Sequence, residues 1–555
     1  MNSKKKIIIL ASAGVLVASL ALGWYFIFGR SNALLAYVPD NAIAVAKVNV
    51  KSLLTKMDYE KIKQEDKVAD QLDEVKNEMP DFLSEAMDSP LSTGIDPFKD
   101  PVAFLTLDKK SGQVQFSVLM SVQSQEDFGE FLKKFEAELD LDYKFRKDVE
   151  RDFEKAYPEK ISERNHAIAW NGDVVIFSFQ NGGFEDDTML DLVENTLFLN
   201  EERRLSNLEA YNEFESNLED LDVFINLQAI LNDNRDLDLP ESFTSQINNL
   251  NGASLHLEFQ EESIDLTIHN YFKDQDLAEK NNFFGEPNDS KITKYLTSNG
   301  KAIGAMALSL KMENLIDLIK KLDEENSMNE GLMSEFNLSI DQVGKMLSGS
   351  MAVSLTELKK VEVTEYQSSL QYNPFTGEFY EEQTPVTYEK TVPIFNYQLG
   401  ISDANLGSKL LGKLEELNLI LKEGNVYVIE NSEFGKLNLV AKNDLWIISN
   451  DPMSVNLAGN GEWNAPQNED LNKALTSEAM GMYLSLDINE YGTSEDVQDL
   501  KNDADFEEIE ELANLLKNVN GYGNNESIHL NIGLKPGEGN SLYRLSKALV
   551  DIAKF

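Results

Sequence analysis

Four histidines, His166, His256, His269 and His529, are the only imidazoles in 555 residues. None stands in the His-Glu-x-x-His spacing that sets two imidazoles and a general base on one helix face. His256 and His269 fall in neighbouring strands of one predicted hairpin, where two rings can meet across a sheet and hold a metal weakly. Ordinary strand positions are the simpler account, because the second half of the chain keeps only His529 in the matching hairpin. There is no Gly-x-Ser-x-Gly elbow, and no histidine is placed to act as the base of a serine triad. Gly407-Ser-Lys-Leu-Leu-Gly412-Lys413-Leu414 follows the phosphate-loop pattern up to its last position, where Leu414 has no hydroxyl to offer magnesium. Leu406, Leu410, Leu411, Leu414 and Leu417 recur at helical spacing, so the segment reads as one apolar helix face. Asn232–Asp238 has oxygens for loose calcium binding, but lacks the glycine and closing glutamate of a calcium loop. With 96 Asp and Glu, any two carboxylates look like a glycosidase pair, so spacing carries no information. Cysteine is absent, which removes thiolate nucleophiles, disulfides, Cys-ligated zinc and a lipidated N-terminal Cys. These readings indicate no catalytic residue, cofactor or metal.

The most distinctive side chains are aromatic. Between two strand-like runs in the second half, the stretch Val361 to Thr391 carries Tyr366, Tyr372, Phe375, Phe379, Tyr380 and Tyr388, with a good turn at Asn373-Pro-Phe-Thr-Gly377. A long hairpin bearing exposed rings is a candidate contact surface for a partner protein or a glycan. The competing account is that the rings pack across the ribbon and steady it.

The elements that hold these residues follow from composition and pattern. A hydrophobic fraction of 42% supports packed cores, and the length implies two or more domains. The net charge of −46 repels phosphate backbones, so nucleic acid is a poor partner. Lys4-Lys5-Lys6 precede an apolar run from Ile7 to Phe28, long enough to span a bilayer with the lysines cytoplasmic and Trp24-Tyr25 at the far interface. An uncleaved anchor then leaves everything after Arg30 outside the cytoplasm, in the periplasmic part of the envelope; the alternative is a signal peptide removed on export.

Beyond the anchor the chain reads as a duplication. Ala42–Leu54, a strand leading into a helix, returns at Ala302–Leu315. Hairpins at Val102–Val122, His166–Phe179 and Ala253–Phe272, and an amphipathic helix at Gln125–Leu139, also have counterparts downstream. Ala42 and Ala302, Asp173 and Asp444, and His256 and His529 pair at offsets of about 260–273 residues. The expected domains are an anchor or signal segment at 1–33, a first lobe at 34–292, and a second at 293–555 that carries the aromatic hairpin. Hairpins interleaved with helices predict an α+β fold, two tandem lobes of antiparallel sheet with amphipathic helices packed on one face.

The opening Tyr37-Val-Pro-Asp-Asn-Ala-Ile-Ala-Val-Ala-Lys-Val-Asn-Val-Lys-Ser-Leu-Leu54 resembles the start of a family of uncharacterised bacterial cell-envelope proteins, known only as a domain of unknown function. Many members look like lipoproteins; this chain departs from them in having no Cys and a long apolar anchor. The resemblance implies an envelope location and supplies no catalytic residue. The expected function is a non-enzymatic, membrane-tethered protein that binds or scaffolds envelope components. The alternatives are a carboxylate-dependent hydrolase of envelope glycan or peptide, and a holdase or assembly factor for envelope clients.

Overall fold

The computed structural model describes residues 33–552 except 66–67, 70–79, 98, 108–112, 140, 161–164, 181–187, 234–247, 298–301, 324–325, 374–377, 432–434, 463–468, 488–490, 492–509 and 511. The expected anchor at residues 7–28, the expected Lys109–Gly112 turn and Phe375 therefore lie outside the described residues. The chain divides into two compact units, Met1–Asp274 with Pro536–Phe555, and Gln275–Lys535. The boundary thus falls at 274/275 rather than 292/293, and the C-terminal segment belongs to the first unit rather than the second.

In the first unit the strands are β1 (Ala42–Val48), β2 (Val102–Leu107), β3 (Val114–Ser121), β4 (Tyr143–Asp148), β5 (Phe153–Pro158), β6 (His166–Trp170), β7 (Val174–Gln180), β8 (Leu221–Ile225), β9 (Leu250–Phe259) and β10 (Ser263–Phe272). All their described pairings are antiparallel and give the spatial order β4-β5-β6-β7-β3-β2-β1-β8-β9-β10. The second unit contains β11 (Gly304–Ser309), β12 (Leu347–Asn373), β13 (Glu378–Ile401), β14 (Leu421–Glu423), β15 (Val426–Asn431), β16 (Gly435–Ala441), β17 (Leu445–Ser449), β18 (Met480–Ser485), β19 (Leu516–Gly523) and β20 (Ser527–Leu534). Its order is β14-β15-β16-β17-β13-β12-β11-β18-β19-β20, again antiparallel and matching the first unit strand for strand. The fold is α+β.

This correspondence corrects one alignment made from sequence. β20, with His529, takes the place of β10, whereas the counterpart of β9 and His256 is β19. Two hairpins, β4–β5 and β14–β15, and the strand β19 were also absent from the sequence-based expectation. Tyr-Lys-Phe-Arg-Lys-Asp in β4 alternates rings with charges at the end of the strand order, so its polar half is solvated while its rings face inward.

Helices cover both faces of the sheet at β6 and β7, not one. α1 (Val50–Met57) follows β1, and the Asn49 side chain accepts the Ser52 N–H at 3.1 Å as its cap. α2 (Asp81–Asp88) and α3 (Gln125–Leu139) bury Leu83, Phe128, Phe131, Leu132 and Phe135 against Ile168, Trp170 and Val175. On the opposite face α4 (Thr188–Leu197) and α5 (Glu209–Ser216) set Met189, Val193, Tyr211 and Phe214 in the core that contains Ala167, Ala169, Val174 and Ile176. A strand buried on both sides has no polar face to show, which explains why all of His166–Trp170 is buried. The second unit repeats this at β17. α6 (Ile340–Met346) and α7 (Ala404–Glu416) pack on Trp446, while α8 (Pro452–Asn460) and α9 (Glu469–Thr476) pack with Leu445 and Ile447.

The final helix, α10 (Ser541–Ile552), rests on the first unit. The Ser541 N–H donates to the Gln260 carbonyl at 2.9 Å, the Asn540 amide to that of Phe259 at 3.0 Å, and the Lys61 ammonium lies 4.5 Å over the Tyr543 ring.

A helical glycine meets a tryptophan in each unit. A Cβ added at Gly129 of α3 would stand 3.7 Å from Trp170 Cζ2, an ordinary contact, whereas one at Gly407 of α7 would stand 3.2 Å from Trp446 Cζ2. Gly129→Ala is therefore expected to gain helix propensity and stabilise by about 0.5–1 kcal/mol. Gly407→Ala is expected to gain less than that, or to destabilise, because the indole must move. Thermal unfolding of the two single variants tests this, and a larger gain at 407 than at 129 would contradict it.

Candidate functional site

The aromatic hairpin is an extension of an ordinary strand pair. β12 is held by β11 at Ser350–Leu355, and β13 by β17 at Asn396–Gly400. After an irregularity between Leu355 and Glu357, the two strands continue in unbroken register from Glu357↔Ile394 to Asn373↔Glu378. At about 3.4 Å per residue this ribbon runs for roughly 50 Å. Residues 367–369, 371, 379 and 384–390 are exposed. Phe379 is 69% exposed and Tyr388 38%. Being nine positions apart on one regular strand, these two rings stand on opposite faces. Tyr366, Tyr372 and Tyr380 sit at the register positions opposite Pro385, Phe379 and Gln371. The structure thus places Tyr366, Tyr372, Phe379, Tyr380 and Tyr388 on one ribbon, but it does not place Phe379 and Tyr388 in a single patch. Six glutamates and one lysine occupy residues 361–391, so the rings stand in a strongly acidic setting.

The histidines have separate partners. His529 stacks on Tyr522 with centroids 5.0 Å apart, and His269 meets the edge of Tyr271 at 4.7 Å. Register places His256 opposite Thr267 and His269 opposite Ser254, so the two imidazoles are diagonal neighbours rather than a facing pair. The sequence reading missed what His256 does. Its Nδ1 lies 2.7 Å from the Asp222 carboxylate and its Nε2 2.8 Å from Ser254 Oγ, which in turn lies 3.0 Å from the Tyr271 hydroxyl. Asp, His and Ser stand in the connectivity of a hydrolytic triad. Ser254 is 2% exposed and Asp222 1%, however, and the Phe214 ring lies tilted beside the imidazole with centroids 5.5 Å apart. The serine sits mid-strand on β9, where the backbone N–H groups of a paired strand are committed to the ladder rather than free to hold an oxyanion. Geometry makes this a self-satisfied polar seam inside a core, where each member meets the others' hydrogen-bonding needs.

A second polar knot adjoins it. The buried Asp220 accepts from Ser52 Oγ, from Lys56 Nζ at 2.7 Å and from the Phe259 N–H at 2.7 Å. Nearby, the Glu219 carboxyl is raised above the usual range, first by burial and then by the charges of Glu258, Asp222 and Asp220, with Lys56 opposing. Among the described residues no group of three His, Asp or Glu is placed to hold a metal. The phosphate-loop-like stretch is the body of α7, whose N-terminus is capped by the Asp403 carboxylate on the Asn405 and Leu406 N–H groups. Asn232 and Asp233 end a helix, and the rest of that acidic stretch lies outside the described residues.

His166 supplies a pH-dependent test of the fold around these elements. It is buried on β6, with Tyr143 hydroxyl 2.7 Å from Nε2 and Asn165 Oδ1 2.7 Å from Nδ1. Burial pushes its pKa from 6.5 down to about 4, so the ring is neutral, Tyr143 donates to Nε2, and Nδ1–H donates to Asn165. Between these values the unfolded chain binds a proton that the native one refuses, so stability falls as pH drops from about 6.5 to 4. The loss amounts to about 3 kcal/mol at 1.36 kcal/mol per unit. His166→Asn is expected to flatten that part of the stability–pH curve measured by urea unfolding; an unchanged slope would refute the assignment.

Comparison with known proteins adds little about chemistry. Crystal form IV of TP0453 is similar at 11% identity and a TM-score of 0.22, covering 42% of this chain and 79% of that one. Crystal form I of the same protein gives 12% identity and a TM-score of 0.23, covering 46% and 88%. Such weak likenesses carry no argument. The curated proteins contain no match. A family model, described as a domain of unknown function (DUF4836), matches residues 36–542, which is most of the chain. The protein therefore belongs to the family defined by that domain of unknown function.

Proposed function

We propose that the chain is a membrane-tethered envelope protein whose bulk lies outside the cytoplasm, and that it binds or scaffolds other envelope components without catalysing a reaction. The ribbon of β12 and β13 is the observation that carries this reading. A two-stranded hairpin exposed over residues 384–390 buries little of its own surface, and an isolated hairpin is marginally stable in water. A partner that covers it supplies the missing burial. Phe379 and Tyr388 offer apolar anchors on either side, and the surrounding glutamates favour a partner with a basic surface. The tether rests on the apolar run Ile7 to Phe28 and its preceding lysines. We also read the two units as a tandem duplication, supported by their matching strand orders, with the ribbon an elaboration of one copy. The corresponding pair in the first unit, β2 and β3, is joined through residues 108–113 alone.

That correspondence makes the decisive deletion structurally mild. Removing residues 361–391 and closing β12 onto β13 with a short turn is expected to leave thermal unfolding unchanged while abolishing partner capture. The measurement is crosslinking and pull-down of the tagged full-length protein from intact cells beside the deleted form. Equal capture by both forms, or a specific partner for neither, would sink the proposal.

A further inference from the structure

A cleft of about 440 Å³ opens in the first unit, away from the ribbon. Leu34, Leu197 and Leu199 give it an apolar side. Arg204 and Lys99 give it two cations in a chain whose net charge is −46. Among the described residues the guanidinium is incompletely satisfied: Arg204 Nε is buried without a hydrogen-bond partner, and Nη1 lies 3.8 Å from the exposed Glu201 carboxylate. Lys99 has a loose contact with Asp96 at 3.7 Å. A buried, unsatisfied charged donor is costly, and an acceptor brought by a ligand removes that cost.

The second unit pairs a tyrosine with a cation at its own β16–β17 turn. Tyr295 lies ahead of β11 and Tyr37 ahead of β1, and Lys442 opens the β16–β17 turn at the position that Asn171 holds in the β6–β7 turn. There the Lys442 ammonium donates to the Tyr295 hydroxyl at 3.0 Å and lies 4.5 Å over its ring, so cation and phenol satisfy each other. In the first unit the turn has Asn171 where the second has Lys442, the cation comes from Arg204, and among the described residues its Nε has no hydrogen-bond partner. Burial and the Asp173 charge raise the Tyr37 phenol above its usual range against the opposing Arg204, so this lining residue stays a neutral donor.

We propose that this cleft binds a small monocarboxylate with a short apolar chain. The carboxylate lies between Arg204 and Lys99, and the chain lies along Leu34, Leu197 and Leu199. Asp173 also lines the cleft, and its charge disfavours phosphate and other dianions more than a monoanion.

The probe is hexanoate, titrated by calorimetry into the full-length protein in nanodiscs against an empty-nanodisc blank, with inorganic phosphate and hexylamine as comparison ligands. Saturable one-to-one binding of hexanoate is expected, with neither comparison ligand binding as tightly. Arg204→Gln is expected to weaken it at least tenfold, and Arg204→Lys less. Lys99→Gln, at a partly exposed position where folding is not at stake, is expected to weaken it several-fold with an unchanged melting temperature. Absence of saturable hexanoate binding, phosphate binding as tight as hexanoate, or an affinity unmoved by Lys99→Gln would each overturn the proposal.

Discussion

The indole of Trp170 lying against the backbone of α3 at Gly129 sets the spacing between helix and sheet in the first unit. Its ring also meets Phe128 edge-on at 5.3 Å, so one aromatic fixes both the depth and the rotation of the helix. The second unit meets the same demand by a different route. Trp446 stands on β17, whereas Trp170 stands on β6, yet register shows that these are the two sides of one cross-strand pair: Trp170 faces Val175, and Ala441 faces Trp446. Each unit therefore places one indole and one smaller residue at the same facing positions, with the sides exchanged. Volume under the helix is kept while the residue supplying it changes, as expected for a core packed at near-crystalline density.

With that spacing fixed, the remaining architecture follows from the strand order. β6 and β7, or β16 and β17, are sandwiched between helices and supply rigidity, while strands further along the order need only one protected face. Some polar side chains in the protected layer satisfy one another. Ser117 meets Ser178 at 2.8 Å, and the Asp222–His256–Ser254–Tyr271 seam satisfies itself. The triad-like connectivity of that seam is thus a product of hydrogen-bond economy on adjacent strands, since Ser254 and His256 alternate onto one face of β9 with Asp222 opposite on β8.

Much of the fold was legible in the sequence wherever a single period dominated. α3 runs over Gln125–Leu139, the span expected from its apolar stripe, and the Asn171-Gly172 turn is specified locally, because Asn171 Oδ1 accepts the Asp173 and Val174 N–H groups at 2.9 and 3.0 Å. The β4–β5 hairpin was hidden by its Lys, Arg and Asp residues, which solvation on one face permits but which composition alone reads as loop. The seam was illegible because its members are joined only once β8 and β9 are paired. The aromatics of the ribbon were visible as residues, yet the face each occupies depends on a register that no local pattern specifies. The cleft combines residues from short 3₁₀ turns, a hairpin loop and a helix end, none of which has a sequence signature.

The docking of α10 on the first unit also sets an order of events. Residues 541–552 leave the ribosome only after the whole of the second unit, an interval on the order of 10–50 s at ordinary translation rates. Throughout that time the carbonyls of Phe259 and Gln260 and the flank of Lys61 lack the groups that finally cover them. The second unit, whose chain is continuous, has no such wait. Maturation thus runs against the direction of synthesis, with the inserted body able to complete its contacts before the one that was started first.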